Sequence, residues 1–160
     1  MKKTEYLLAL IDQPLCYGEK SPDMELYVFG FGRLIKRENL KGQLQEVGSY
    51  RLHVICRFKV IWRNGEHRVD IYTEDTSAEA FREGISPLIG ARVKRVALSD
   101  KNDLWLDLGD WWIVFATFEG EEESWRFFTA DRDASHLVAS DSALSFPGDK
   151  GTVCVNPFEK

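Results

Sequence analysis

From Tyr50 to Trp62 the chain alternates without interruption. Even positions read Tyr50, Leu52, Val54, Cys56, Phe58, Val60 and Trp62; between them stand Arg51, His53, Ile55, Arg57, Lys59 and Ile61. Successive side chains of a strand point to opposite faces, so this period of two predicts one long half-buried strand, apolar toward a core and largely basic away from it. Asn64-Gly65 follows directly. Both central residues of a type I′ hairpin turn need positive φ, which Asn-Gly adopts at least cost. The spacing therefore predicts a hairpin with Arg63 opposite Glu66, Trp62 opposite His67, Val60 opposite Val69, Lys59 opposite Asp70 and Phe58 opposite Ile71.

A second hairpin is written into DLWLDLGDWWIVF, Asp103 to Phe115. With Gly109-Asp110 as a tight II′-type turn, Leu108 opposes Trp111, Leu106 opposes Ile113 and Leu104 opposes Phe115, and these six residues form a core face. The other face carries Trp105, Asp107, Trp112 and Val114 and is aromatic as well. Two apolar faces on one hairpin imply either a second covering element or a surface kept for a partner.

The rest of the chain is consistent with a β-rich domain. Fifteen of its Trp, Tyr and Phe residues beyond the five tryptophans of the composition are Phe and Tyr, and aromatic residues favour strands. Thr4 to about Leu10 reads as a short helix with Thr4 as its N-cap. DTSAEAFREGISPLIG predicts a second, capped by Thr76 or Ser77, with Glu79 in its first turn, Ala80 and Phe81 facing inward, and a stop at Gly84 or before Pro87. Short strands follow in ESWRFF (Glu123 to Phe128), SHLVAS and GTVCVN, and the polar stretch from Arg33 to Ser49 reads as a long connecting loop. At 160 residues the chain is one domain's worth, residues 1–160, able to bury about 70% of its unfolded surface without metal or disulfide.

The chain also resembles itself. At an offset of 78, Glu5 meets Glu83, Leu7 meets Ile85, Leu10-Ile11 meets Leu88-Ile89, Leu15 meets Val93 and Leu26-Tyr27 meets Leu104-Trp105. SYRLHVICRF resembles GDWWIVFATF at an offset of 60, and HRV resembles HLV at 69. The expected architecture is α+β: mostly antiparallel strands with two short helices, an internal duplication of a helix-plus-hairpins unit with halves near 1–75 and 76–160.

Several function classes drop out. The short apolar run after Met1 is followed by no small-residue cleavage site, and no run approaches the roughly 18 apolar residues of a membrane span, so a cytoplasmic protein is expected. Cys16, Cys56 and Cys154 are odd in number and widely spaced, which predicts reduced thiols rather than disulfides or zinc. His53, His67 and His136 lack metal spacing, no G-x-S-x-G elbow or P-loop occurs, and FGFGR lacks the phosphate-loop pattern, so no catalytic residue, metal or cofactor is indicated. Net charge is −5 and disfavours nucleic acid, yet the charge is uneven. Nine Lys and Arg face three Glu between Arg33 and Arg68, and seven acidic residues face two Arg between Glu119 and Asp141.

Two surfaces remain. Trp105 and Trp112, beside the acidic loop with Glu121, Glu122 and Glu123, have the composition of a protein-docking site. Arg51, His53, Arg57, Lys59 and, from the paired strand, Arg68 form a basic stripe suited to an anion, a small molecule or a nucleotide, conceivably with weak enzymatic use.

Leu10, Ile11 and Pro14, then Asp23, Met24, Leu26 and Phe29, then Leu52, His53, Val54 and Cys56, and finally Trp125, Arg126, Phe127, Phe128, His136 and Val138 resemble the pattern of an uncharacterised family of small bacterial proteins. That pattern reads L-I-G-x-P, D-M-x-L-x-F, L-H-V-x-C and W-R-F-F with H-[FL]-V, and this chain departs from it at Asp12, where the pattern has glycine. The resemblance spans most of the chain, implies a bacterial origin and a whole-chain domain, and lends no catalytic residue. In size and acidity the chain is also similar to immunity proteins that neutralise bacterial toxins. The function expected is non-catalytic protein binding, of immunity type, against a basic toxin or nuclease domain, with a homo-oligomer compatible with the same surface. The alternative is small-molecule or nucleotide binding on the basic strand face.

Overall fold

A computed structural model describes residues 3–21, 26–39, 41–65, 67–119, 122–130 and 135–146. Helix α1 (Lys3–Leu7) runs into a 3-10 turn at Leu8–Leu10, followed by β1 (Leu15–Lys20), β2 (Tyr27–Glu38), β3 (Leu44–Val54), β4 (Phe58–Trp62) and β5 (Val69–Tyr72). Helix α2 (Ala78–Ile85) runs into a 3-10 turn at Ser86–Leu88, followed by β6 (Arg95–Leu98), β7 (Leu104–Asp107), β8 (Trp111–Phe115), β9 (Trp125–Thr129), β10 (Leu137–Ala139) and β11 (Leu144–Ser145). The fold is α+β as expected, with every strand pairing antiparallel. Six strands in the order β1-β2-β3-β9-β10-β11 form one sheet, and five in the order β5-β4-β8-β7-β6 form the other.

The predicted long strand is two. Alternation survives from end to end, with Leu52, Val54, Cys56, Phe58 and Val60 all buried, but the backbone turns a corner at Ile55–Arg57 and passes from one sheet into the other. The carbonyl of Ser124 accepts from both Ile55 N–H (2.8 Å) and Cys56 N–H (3.1 Å), so two residues face one, the signature of a bulge that redirects a strand. Because the inward set stays inward through the corner, the sequence pattern carries no mark of it.

The expected hairpin after β4 slips by one residue. Phe58 pairs Tyr72, Lys59 pairs Ile71, Val60 pairs Asp70 and Ile61 pairs Val69. Gly65 alone of Asn64-Gly65 has positive φ (91°), so the type I′ turn does not form, and Trp62 N–H instead bonds Arg68 O at 2.9 Å. Stacking of Tyr72 on Phe58 (centroids 5.0 Å) buries the larger ring, and Asp70 is turned inward, where it accepts from Trp62 Nε1 at 3.0 Å. Ile71 and Val69 are left outside, 68% and 50% exposed.

The second hairpin pairs in the predicted register, Leu104 with Phe115 and Leu106 with Ile113, around Gly109 at φ 87°. Trp111, expected in the core, is only half-buried. It lies at the end of its sheet, edge-on to Trp62 (5.8 Å), and the fully buried tryptophan is Trp125, whose Nε1 donates to Asn102 O at 2.9 Å.

Each helix precedes a run of strands, α1 before β1 and α2 before β6. Ser77 caps α2 by accepting from Ala80 N–H (3.0 Å), as expected, whereas Thr4 lies inside α1 and Ala80 faces solvent. From α2, Phe81 enters between the sheets and meets Tyr27 and Phe29 of β2 and Phe58 and Tyr72 of β4 and β5 edge to face, at 4.8 to 5.8 Å. Each such pair adds about 0.5 to 1.5 kcal/mol to ordinary burial, so Phe81 fastens both layers. The predicted loop from Arg33 to Ser49 is instead the far end of the β2–β3 hairpin; beyond Val47 its strands are largely exposed because it projects past the core, with Leu34 50% and Leu44 76% exposed. Asn39 Oδ1 closes its tip by accepting from Lys41 N–H and Gln43 N–H, both 2.9 Å.

The turns after the two helices bond to each other. Asp12 N–H bonds Val93 O (2.7 Å) and Gly90 N–H bonds Leu15 O (2.8 Å); Leu15 N–H bonds Ala91 O (2.9 Å) and Val93 N–H bonds Gln13 O (3.0 Å). Each bond maps onto its mate when positions are exchanged by 78, with the Pro14–Arg92 bridge between them. Asp12 and Gly90 share a left-handed φ, 70° and 93°, which glycine adopts most cheaply and which aspartate tolerates better than most residues.

Candidate functional site

The basic stripe does not exist as one surface. The corner at Ile55–Arg57 leaves Arg51 and His53 on the outer face of the six-stranded sheet and Lys59 on the outer face of the five-stranded one. Arg57 sits at the corner paired with Glu74 (3.1 Å), and Arg68 pairs with Asp70 (3.0 Å) and lies over the Trp62 ring.

The acidic loop is likewise separated from the tryptophans. Glu121 lies outside the described residues, and Glu122 is exposed. Glu123 holds Arg126 in a bidentate pair (Nε to Oε2, 2.8 Å; Nη2 to Oε1) on the six-stranded sheet, away from Trp105 and Trp112. Chain proximity suggested an acidic ring around the tryptophans, but β9 carries Glu123 to the opposite layer.

Around Arg51 the structure assembles residues from four strands. One row of ladder partners reads Tyr17, Gly30, Arg51, Phe128; the next reads Glu19, Val28, His53, Arg126, Val138. Tyr17 lies flat over Gly30, where a Cβ would come within 2.1 Å of its ring, so only glycine permits this cover. Phe128 is 4% exposed although it is on an outer face. The Arg51 guanidinium lies 4.8 Å over its ring, His136 stacks at 4.1 Å, and His53 meets it edge-on at 4.8 Å.

Charge in this cluster is unevenly compensated. Arg126 donates to Glu123 and to His136 Nδ1 (3.0 Å); an arginine only donates, so Nδ1 is unprotonated and His136 is a neutral ring. Burial and then the Arg51 and Arg126 charges hold His53 well below its ordinary 6.5, to about 4, and burial lowers His136 too. Among the described residues Arg51 has no such partner: its Nε is buried without an acceptor, and burial lowers its pKa with Arg37 adding like-charge repulsion. Burial pushes the Cys56 thiol up to about 12, which makes it inert at neutral pH, and Cys154 lies outside the described residues with the expected strand over 151–156. Among the described residues no three His, Cys, Asp or Glu side chains are grouped to hold a metal. Among them, too, no helix is long and apolar enough to cross a membrane.

The outer face of the five-stranded sheet has different chemistry. Its rows read Ala97, Trp105, Val114, Lys59, Ile71 and Arg95, Asp107, Trp112, Ile61, Val69. Trp105 is 36% exposed and meets Trp112 edge to face at 5.8 Å; Arg63 lies 4.0 Å over the Trp112 ring. A cavity of about 390 Å³ runs along β6 and is lined by both tryptophans; the Trp112 Nε1 is buried and has no acceptor among the described residues. The second face of the 103–115 hairpin is thus partly open: Val114 is covered, Trp105 is not.

Tyr17, Arg126, Phe128 and His136 are not among the candidate residues read from sequence, and Glu123 is one that sequence assigns to the docking site rather than to this cluster. Arg126 between Trp125 and Phe127 marked an outward polar position, but only the pairing of β3 with β9 tells which residues it joins. Comparison with known protein families, with characterised proteins and with solved structures finds no match to this chain.

Proposed function

We propose that this chain is a non-catalytic protein-binding domain that docks its partner on the outer face of the five-stranded sheet. The observation that carries this reading is the apolar surface of Ile71, Val69, Ile61, Trp112 and Trp105, partly open to solvent and bordered by a cavity that both tryptophans line. Water covers such a surface at a cost of about 25 cal/mol per Å² of apolar area, which a partner recovers on binding. Among the described residues edge strand β6 pairs only with β7, so its outer backbone groups can receive an extended segment while a side chain enters the cavity.

The charged groups of the face are Lys59, Arg63 and Arg95 against Asp107, and Arg95 is paired with Asp107 (2.8 Å). The surplus is cationic. It suits an acidic partner segment rather than the basic toxin or nuclease expected from net charge, and an immunity-type role on this face would occlude an acidic surface. We further infer that the chain is a duplicated helix-plus-hairpins unit. Support comes from the mutually bonded turns at an offset of 78 and from the matching strand orders, β1-β2-β3 followed by β9-β10 and β6-β7-β8 followed by β4-β5.

Crosslinking of the whole chain in cell extract, with the crosslinked residues mapped, tests the docking face. Contacts should centre on Trp105 and Ile71 and disappear in Trp105→Ser with Ile71→Ser, while Arg57→Gln leaves them unchanged. Contacts mapped elsewhere would refute the reading, and a crosslink to a second copy of the chain would give the face to self-association.

A further inference from the structure

The β2–β3 hairpin curls past its register shift at Phe31–Leu34 and leaves a cleft of about 910 Å³ between its concave side and the outer face of the six-stranded sheet. Arg37, Lys41 and Arg51 line it together with Glu38, Gln43 and Gln45. Among the described residues none of the three cations takes part in an ion pair, whereas the neighbouring Arg126 is fully engaged by Glu123. Arg51 is the unusual member. Its stem and guanidinium are fixed over Phe128, so it loses little freedom on binding, and its Nε is buried with no acceptor. A buried donor left unpaired costs about 1 to 3 kcal/mol, and a guanidinium held beside a second arginine without a carboxylate is stabilised only when an anion arrives.

We propose that this cleft binds a small phosphate-bearing molecule, with Arg51 as its fixed anchor, Arg37 and Lys41 closing on it from the hairpin, and the Gln43 and Gln45 amides meeting the rest of the ligand. Three cations against Glu38 leave two positive charges uncompensated, which a phosphomonoester dianion matches, a pyrophosphate exceeds and a single carboxylate falls short of. A small ligand fits better than a nucleic-acid strand, because the cationic lining is confined to the cleft in a chain of net charge −5. The site is independent of the tryptophan face, which lies on the other sheet.

Calorimetric titration of the full chain with pyrophosphate, and in parallel with a single-stranded oligonucleotide, tests it. Pyrophosphate should bind saturably and weaken about ten-fold or more in Arg51→Met, the scale expected for one lost charge-assisted contact, with a smaller loss in Arg37→Gln and none in Arg57→Gln. Arg51→Met keeps an apolar stem on Phe128 and removes an unsatisfied donor, so its thermal midpoint should hold or rise. Absence of saturable binding in the unmodified chain, or binding indifferent to Arg51→Met, overturns the proposal. Tighter capture of the oligonucleotide, lost with the same substitution, overturns the small-molecule assignment.

Discussion

In the six-stranded sheet the row through β1, β2, β3 and β9 carries Tyr17, Gly30, Arg51 and Phe128; at the same place in the five-stranded sheet the row through β6, β7, β8 and β4 carries Arg95, Asp107, Trp112 and Ile61. The next row sets His53 and Arg126 against Val114 and Lys59. Backbone plan is shared and chemistry is not. On the first face long polar side chains lie down over an aromatic ring and cover it; on the second Arg63 lies over Trp112 and Val114 is buried, but Trp105, Val69 and Ile71 stay open to solvent. A strand position decides where a side chain goes, and its neighbours along the ladder decide whether that place is interior or surface.

The largest test of this contrast is a pair of truncations at matching positions. Phe128→Ala removes a ring that is 4% exposed and should cost about 3 to 4 kcal/mol in chemical denaturation, whereas Ile61→Ala, half-buried on the open face, should cost about 1 kcal/mol. Equal losses would mean that both faces are interior.

Acid should separate the faces next. His53 is neutral in the fold down to about pH 4, while in the unfolded chain it takes up a proton near 6.5, so its contribution is complete above 6.5 and disappears as the pH falls toward 4. Its partial exposure reduces the full linkage, and about 2 kcal/mol of the acid destabilisation should be absent in His53→Val, which installs the residue found at the matching position, Val114. Parallel stability profiles for the two proteins between pH 7 and 4 would contradict this, since carboxylates are common to both.

The smallest effect should come from an apolar residue that is largely exposed. Ile71→Thr changes a side chain that is 68% exposed and should move stability by no more than about 0.5 kcal/mol. A loss several times larger would show that the open face is covered in solution.

What could be read from sequence depended on whether a residue's partner was near in the chain. The 104–115 register was legible because the Gly109-Asp110 turn and the apolar alternation specify the same pairing. The 58–72 register was not: matching Lys59 to Asp70 and Val60 to Val69 satisfies charge and hydropathy locally, and only Tyr72's stacking on Phe58 and the Trp62–Asp70 bond decide for the slipped pairing. Half of the Arg51 cluster was visible as outward polar residues on an alternating strand. Its other half, Glu123 and Arg126 at β9 and His136 just before β10, comes from far along the chain, and no short-range pattern announces a partner that distant.

Each sheet takes strands from both halves of the chain. Tyr50 pairs with Thr129 and Phe58 with Phe115, so while the protein is being synthesised β3 and β4 leave the ribosome long before β9 and β8, which pair with their other edges, exist. The N-terminal half must then wait with two unpaired edges and half of an aromatic core, which are the conditions for slow closure and for misplaced pairing with a neighbouring nascent chain. Truncation anywhere before β9 therefore removes more than the missing residues: it leaves the six-stranded sheet divided at the β3 edge.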